Sequence, residues 1–151
     1  MAGYLYFLIV HLAAFALYTG LLVADITIHK QLWSLFKTGN AVAPALFSTA
    51  VMYTRLMGVA LGVALLAGIL MMSQMHQVYG TQFWMRSKIV LVILIFLLRV
   101  LNARSGKQLG KQLTRGAVEL NVNLRNRILF LQIAQVILIA IIIVLSVKKF
   151  N

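Results

Sequence analysis

The sequence predicts an all-α polytopic membrane protein, a bundle of four transmembrane helices. Three observations carry this. Hydrophobic residues make up 62% of the 151 positions and charged residues only 11%, where a soluble domain of this size carries about a quarter charged residues. Four apolar runs each reach the roughly 20 residues that span a hydrocarbon core. The charges lie mostly between and beside those runs. Inside lipid a backbone must satisfy its own hydrogen bonds, so each run is expected as a helix. The chain reads as a single membrane domain over 1–151.

The first run extends from about Tyr4 to Ile28. It has no basic n-region and no small-residue cleavage site, so it is expected to stay as a helix and not to act as a signal peptide. The second extends from about Leu46 to Met75 and carries two small-residue rows at a spacing of four: Gly58 with Gly62, and Ala60 with Ala64 and Gly68. Such rows mark close helix–helix packing; a ligand laid on a smooth face is the rival reading. The third runs from about Phe83 to Leu101 and the fourth from about Ile128 to Val147.

The connections differ in character. Residues 29–45 hold Lys30, Lys37, a Gly39-Asn40 turn and the single proline, Pro44. Residues 77–82 form a short, nearly neutral link, which predicts an antiparallel hairpin of the second and third helices. Residues 102–127 carry Arg104, Lys107, Lys111, Arg115, Arg125 and Arg127 against Glu119. This basic loop is expected to be part-helical and to hug the membrane, with Leu109 and Leu113 opposite the charges.

Fourteen Lys and Arg against Asp25 and Glu119 give a formal charge of +12. The placement of the charges points to membrane topology and to anionic lipid at the basic loop. No helix-turn-helix, zinc or aromatic-basic motif appears, so nucleic acid is not an expected partner. The basic side is expected to be cytoplasmic and both termini outside, in a multi-pass cell-membrane protein. There is no cysteine, which excludes disulfides, thiolate zinc sites, cysteine-ligated iron–sulfur clusters and thiol catalysis. No nucleophile–base motif, carboxylate dyad or phosphate loop is recognisable.

Polar residues at membrane depth are the candidates for function. Helix direction and rise place His11, Lys88 and the Met71, Met72, Met75, His76 end of the second helix at one outer depth. A neutral imidazole can bind haem iron, a thioether or second imidazole can complete the axial pair, and a lysine can hold a propionate. His11 is thus the candidate metal ligand, Met72, Met75 and His76 are candidates opposite it, and Lys88 is an anchor. Each has a plainer reading: a hydrogen-bonded interior His11, a snorkelling Lys88, gap-filling methionines, and solvated or headgroup positions for His76 and His29. On the inner half, Asp25, Arg55 and Arg99 are expected as a structural ion pair or triad. A proton relay through Asp25 is the alternative.

These residues resemble a bacterial four-helix superfamily that includes the HemJ-type protoporphyrinogen oxidases and the membrane domain of CopD-type copper proteins. His11-Leu-Ala-Ala-Phe-Ala-Leu-Tyr18-Thr-Gly20 resembles its first helix, and Met52-Tyr-Thr-Arg55-Leu56 its second. Trp84-Met-Arg-Ser-Lys88 followed by an apolar stretch resembles the third, and Arg127 to Phe150, closing Val147-Lys-Lys-Phe, the fourth. The resemblance implies a haem-ligand role for His11 and matches Lys88 to the family's third-helix lysine. The chain departs from the pattern at Leu98-Arg99, where the family has a histidine, and at Leu131-Gln132-Ile133-Ala134, where it has Asn-Glu-Xaa-Pro. The Pro-Arg that follows the family's first helix is missing. The chain thus reads as a diverged member, placed in a bacterial inner membrane.

The expectation is a haem b-binding, HemJ-like oxidoreductase acting on protoporphyrinogen. The alternatives are a non-enzymatic accessory or assembly subunit docked on other membrane subunits of a respiratory complex, or a copper-handling membrane protein using soft thioethers. A homo-oligomer is also open. A glutathione-transferase-like membrane family of similar size is set aside, because its Glu and Arg after helix one are replaced here by Lys30 to Lys37 with no acid.

Overall fold

The structure is a computed structural model and describes residues 2–37, 43–79, 83–114 and 121–148. It is all-α, with α1 Ala2–Lys37, α2 Ala43–Tyr79, α3 Phe83–Thr114 and α4 Val122–Lys148. Each helix contains a stretch long and apolar enough to cross a membrane. The chain is therefore built as a multi-pass membrane protein, with lipid as the solvent for its apolar faces.

Every helix outruns its apolar segment. α1 continues past Ile28 to Lys37 and α3 past Leu101 to Thr114. Arg104, Lys107 and Lys111, expected in a part-helical segment beyond the third span, stand on a direct continuation of α3. The physical reason is that a change from lipid to headgroups ends an apolar run but breaks no backbone hydrogen bond. No proline or glycine lies between 28 and 37 to stop α1. At about 1.5 Å per residue the 36 residues of α1 span roughly 54 Å, against about 30 Å of hydrocarbon. Asn121 caps α4: its side-chain oxygen accepts the Asn123 N–H at 2.9 Å, and its carbonyl takes the N–H of Leu124 at 3.0 Å. Hydroxyls within the spans back-bond to their own helices, as Thr19 does to Phe15 O at 2.9 Å and Ser146 to Ile142 O at 2.8 Å, so they need no partner from lipid.

The helices alternate in direction. His11 meets Ala64 and Gly68, Arg99 meets Thr54, and Tyr18 and Asp25 meet Gln135 and Gln132. The cyclic order is α1, α2, α3, α4, with α1 and α3 on a diagonal. The α1–α2 and α3–α4 hairpins pack most closely. Of the two small-residue rows on α2, one does the packing: Ala60 and Ala64 are buried and Gly68 touches His11. Gly58 and Gly62 have open space where a Cβ would stand.

Two apolar clusters stack along the bundle. Tyr18, Leu22, Met57, Leu61, Ile95 and Ile139 form one. Leu32, Trp33, Leu109, Leu124 and Ile128 form the other, at the basic end. The second explains the long helices, since the extensions bury an apolar stripe against one another. Between the clusters lies a belt of buried polar side chains.

Candidate functional site

The belt is built by four helices. α1 brings Tyr18, Asp25 and His29; Asp25 and His29 share a face because they are four apart. α4 brings Gln132 and Gln135, three apart. α3 brings Arg99, Asn102 and Ser105, and α2 offers the Thr54 carbonyl. Asp25, Gln132 and Gln135 are wholly buried, and His29, Arg99 and Asn102 are each 5% exposed.

The bonds are specific. Gln132 Nε2 donates to Asp25 Oδ2 at 2.8 Å. The Tyr18 hydroxyl donates to Gln135 Oε1 at 2.7 Å, and Gln135 Nε2 donates back to Leu131 O at 3.2 Å. Arg99 Nη2 donates to the Thr54 carbonyl. His29 Nδ1 lies 2.9 Å from the Asp25 carbonyl oxygen, 3.4 Å from Asp25 Oδ1 and 3.4 Å from Gln132 Nε2. One ring nitrogen cannot both donate and accept. A carbonyl oxygen can only accept, so Nδ1 carries a proton and donates it to the Asp25 carbonyl.

The belt is not fully satisfied. Asp25 Oδ1, Gln132 Oε1 and Arg99 Nη1 are buried without a hydrogen-bond partner. Unmet polar groups at this depth are costly. One carboxylate and one guanidinium thus share a low-dielectric layer without touching.

The expected pairing of Asp25 with Arg55 is not formed. Arg55 is exposed on α2, because its position on the helix turns it away from α1. Asp25 is met by an amide and an imidazole instead. Arg99 does lie in the same belt, bonded to α2. His29, expected in solvent or headgroups, is buried, since α1 runs on beyond it. Gln132, Gln135 and Tyr18 were missed as site residues. Their signal was available: two glutamines three apart in an otherwise apolar run are polar groups at membrane depth.

The outer group is arranged differently. His11 Nδ1 donates to Ala64 O at 2.7 Å, and its ring lies 3.3 Å from where a Gly68 Cβ would stand. The imidazole thus leans into the α1–α2 seam. Met72 is half-buried on α2, one turn beyond Gly68. The side chains of Met75 and His76 lie outside the described residues. Lys88 is half-buried on α3. The Arg99–Thr54 contact sets the antiparallel register of α2 and α3, and counting back along it puts Lys88 level with Leu65. His11 and Lys88 therefore stand at similar heights on diagonal helices.

Among the described residues there is no group of three or more His, Cys, Asp or Glu side chains that could hold a metal ion. No family model, no curated protein and no solved structure matches the chain.

Proposed function

We propose that the chain is a haem b-binding membrane oxidoreductase of the HemJ-like kind, with His11 as an axial ligand and a porphyrinogen as its substrate. The observation that carries this is the contact of His11 Nδ1 with the Ala64 carbonyl. Its Nδ1–H is held by the Ala64 carbonyl at 2.7 Å, which fixes the ring and makes Nε2 the nitrogen that would bind iron. That is the arrangement an iron-ligating imidazole takes, its other nitrogen donating to a backbone carbonyl. Haem, when bound, supplies a one-electron acceptor within the membrane. Lys88, at a similar height, supplies a cation for a carboxylate of haem or substrate. Met72, half-buried one turn beyond Gly68 on α2, would offer a thioether to the same group. The test is the absorption spectrum of the detergent-purified protein. A Soret band that disappears in His11→Ala supports the reading; a colourless protein from haem-replete cells ends it.

The belt favours a second reading, proton transfer through Asp25. Asp25 Oδ1 has no hydrogen-bond partner and stands 3.4 Å from an imidazole nitrogen, a pairing that suits proton exchange in a buried layer. Proton flux into proteoliposomes is expected to be lost in Asp25→Asn. Equal flux in the variant and the parent would remove Asp25 from any relay.

A further inference from the structure

The seam between α2 and α3 opens at two places, one on either side of the buried Arg99–Thr54 hydrogen bond that bridges it, and the two differ in chemistry. At the basic end a cleft of about 510 Å³ lies between the helices. Arg55 of α2 and Lys107 and Lys111 of α3 stand on its walls, with Phe47, Gly106 and, from α1, His29. Further along the same seam is a smaller hollow of about 220 Å³, walled by Leu65, Val92, Ile93 and Phe96, with no polar residue. From Lys107 to Phe96 is eleven residues of α3, or roughly 16 Å. That is about half the roughly 30 Å hydrocarbon thickness, the depth of one leaflet.

Glycine shapes the floor. A Cβ at Gly106 would meet nothing within 4 Å, so this position opens on the cleft. A Cβ at Gly110 would stand 2.8 Å from Phe47 Cζ, so glycine there lets the Phe47 ring lie against α3 as a wall.

We infer that this seam binds one anionic phospholipid, its phosphate among Arg55, Lys107 and Lys111 and an acyl chain passing outside the Arg99–Thr54 bridge to the hollow at Leu65 and Phe96. The occupant follows from complementarity. A free inorganic anion would use the positive wall and leave the apolar walls bare. A zwitterionic lipid would fill the groove but bring its own cation to a cluster of three. An anionic amphiphile meets both ends. The site is separate from His11, so it stands or falls independently of haem binding.

Native mass spectrometry tests this on the full chain, released from nanodiscs holding equal amounts of phosphatidylglycerol and phosphatidylcholine. One phosphatidylglycerol is expected to stay bound. Arg55→Gln with Lys107→Gln is expected to lower its retention about tenfold. Gly106→Leu, which fills the cleft and leaves every charge in place, is expected to lower it as much. Lys30→Gln removes an exposed charge outside the cleft and is expected to change nothing. Equal retention of both lipids, undiminished retention in Gly106→Leu, or an equal loss in Lys30→Gln would overturn the assignment. Thermal melting of the unaltered protein adds an arm that needs no variant. Phosphatidylglycerol is expected to raise Tm above its value in phosphatidylcholine. A rise of the same size from inorganic phosphate alone would make the ligand a free anion and end the lipid proposal.

Discussion

Removing the Asp25 carboxylate would strand the Gln132 amide that donates to it and leave the His29 ring with one neighbour fewer. A buried donor left unmet costs about 1–3 kcal/mol, so Asp25→Ala is expected to destabilise the protein by about that amount. Asp25→Asn keeps an acceptor and is expected to cost less. Unfolding in mixed micelles measures both, and an Asp25→Ala variant as stable as the parent would show that the belt holds nothing together. At the outer group the single-residue prediction concerns Gly68. Its Cβ position lies 3.3 Å from the His11 ring. Gly68→Leu is therefore expected to push the imidazole off the Ala64 carbonyl, at about 1–3 kcal/mol for the overpacked seam. If haem is bound through His11, the Soret band should weaken in the same variant. An unaltered melting point would mean that the seam is looser than the 2.7 Å bond implies. The candidate residues His11, Asp25, Lys88 and Arg99 were legible because each is a polar group in an apolar run. Their partners were not, because Ala64 and Thr54 take part through backbone carbonyls that every residue possesses.

The helices show where hydropathy stops being a guide. The sequence marks where lipid ends on α1 and α3 but not where the helices end, because the extensions are held by packing at the basic end. Leu109 is fully buried there with Leu32, Trp33 and Leu124. Leu109→Ala is expected to cost about 2–5 kcal/mol, the range for a buried Leu truncation. Ile133 lies on the exposed face of α4 at 52% exposure, where lipid surrounds it whether or not the bundle has formed. Ile133→Ala is therefore expected to change stability by less than about 0.5 kcal/mol. A loss in Leu109→Ala as small as that would mean that the extensions add nothing to the fold. The hairpin of α2 and α3 was readable from the short link between them. The role of α4 as the partner of Asp25 was not, because the connection before it is long and fixes neither register nor rotation.

For the molecule as a whole, charge distribution sets the expected orientation. Lys30, Arg104, Lys107, Arg125 and Arg127 gather at one end of the bundle, and the link between α2 and α3 lies at the other. The positive-inside rule then predicts that the basic end is cytoplasmic. The chain has no cysteine, so single-cysteine labelling is clean. Ser34→Cys is expected to be shielded from an impermeant thiol reagent in intact cells and Thr81→Cys to be labelled. The reverse pattern would invert the molecule. Sequence alone determined the solvent, the number of helices and the alternation of their direction. These follow from composition and run length, which are local properties summed along the chain. Tertiary structure alone decided which helix faces turn inward, which of the two small-residue rows makes contact, and that Asp25 meets Gln132 and not Arg55. In lipid every face of a helix is apolar, so hydropathy cannot set its rotation. Shape and a few buried hydrogen bonds set it, and these exist only once the helices have met.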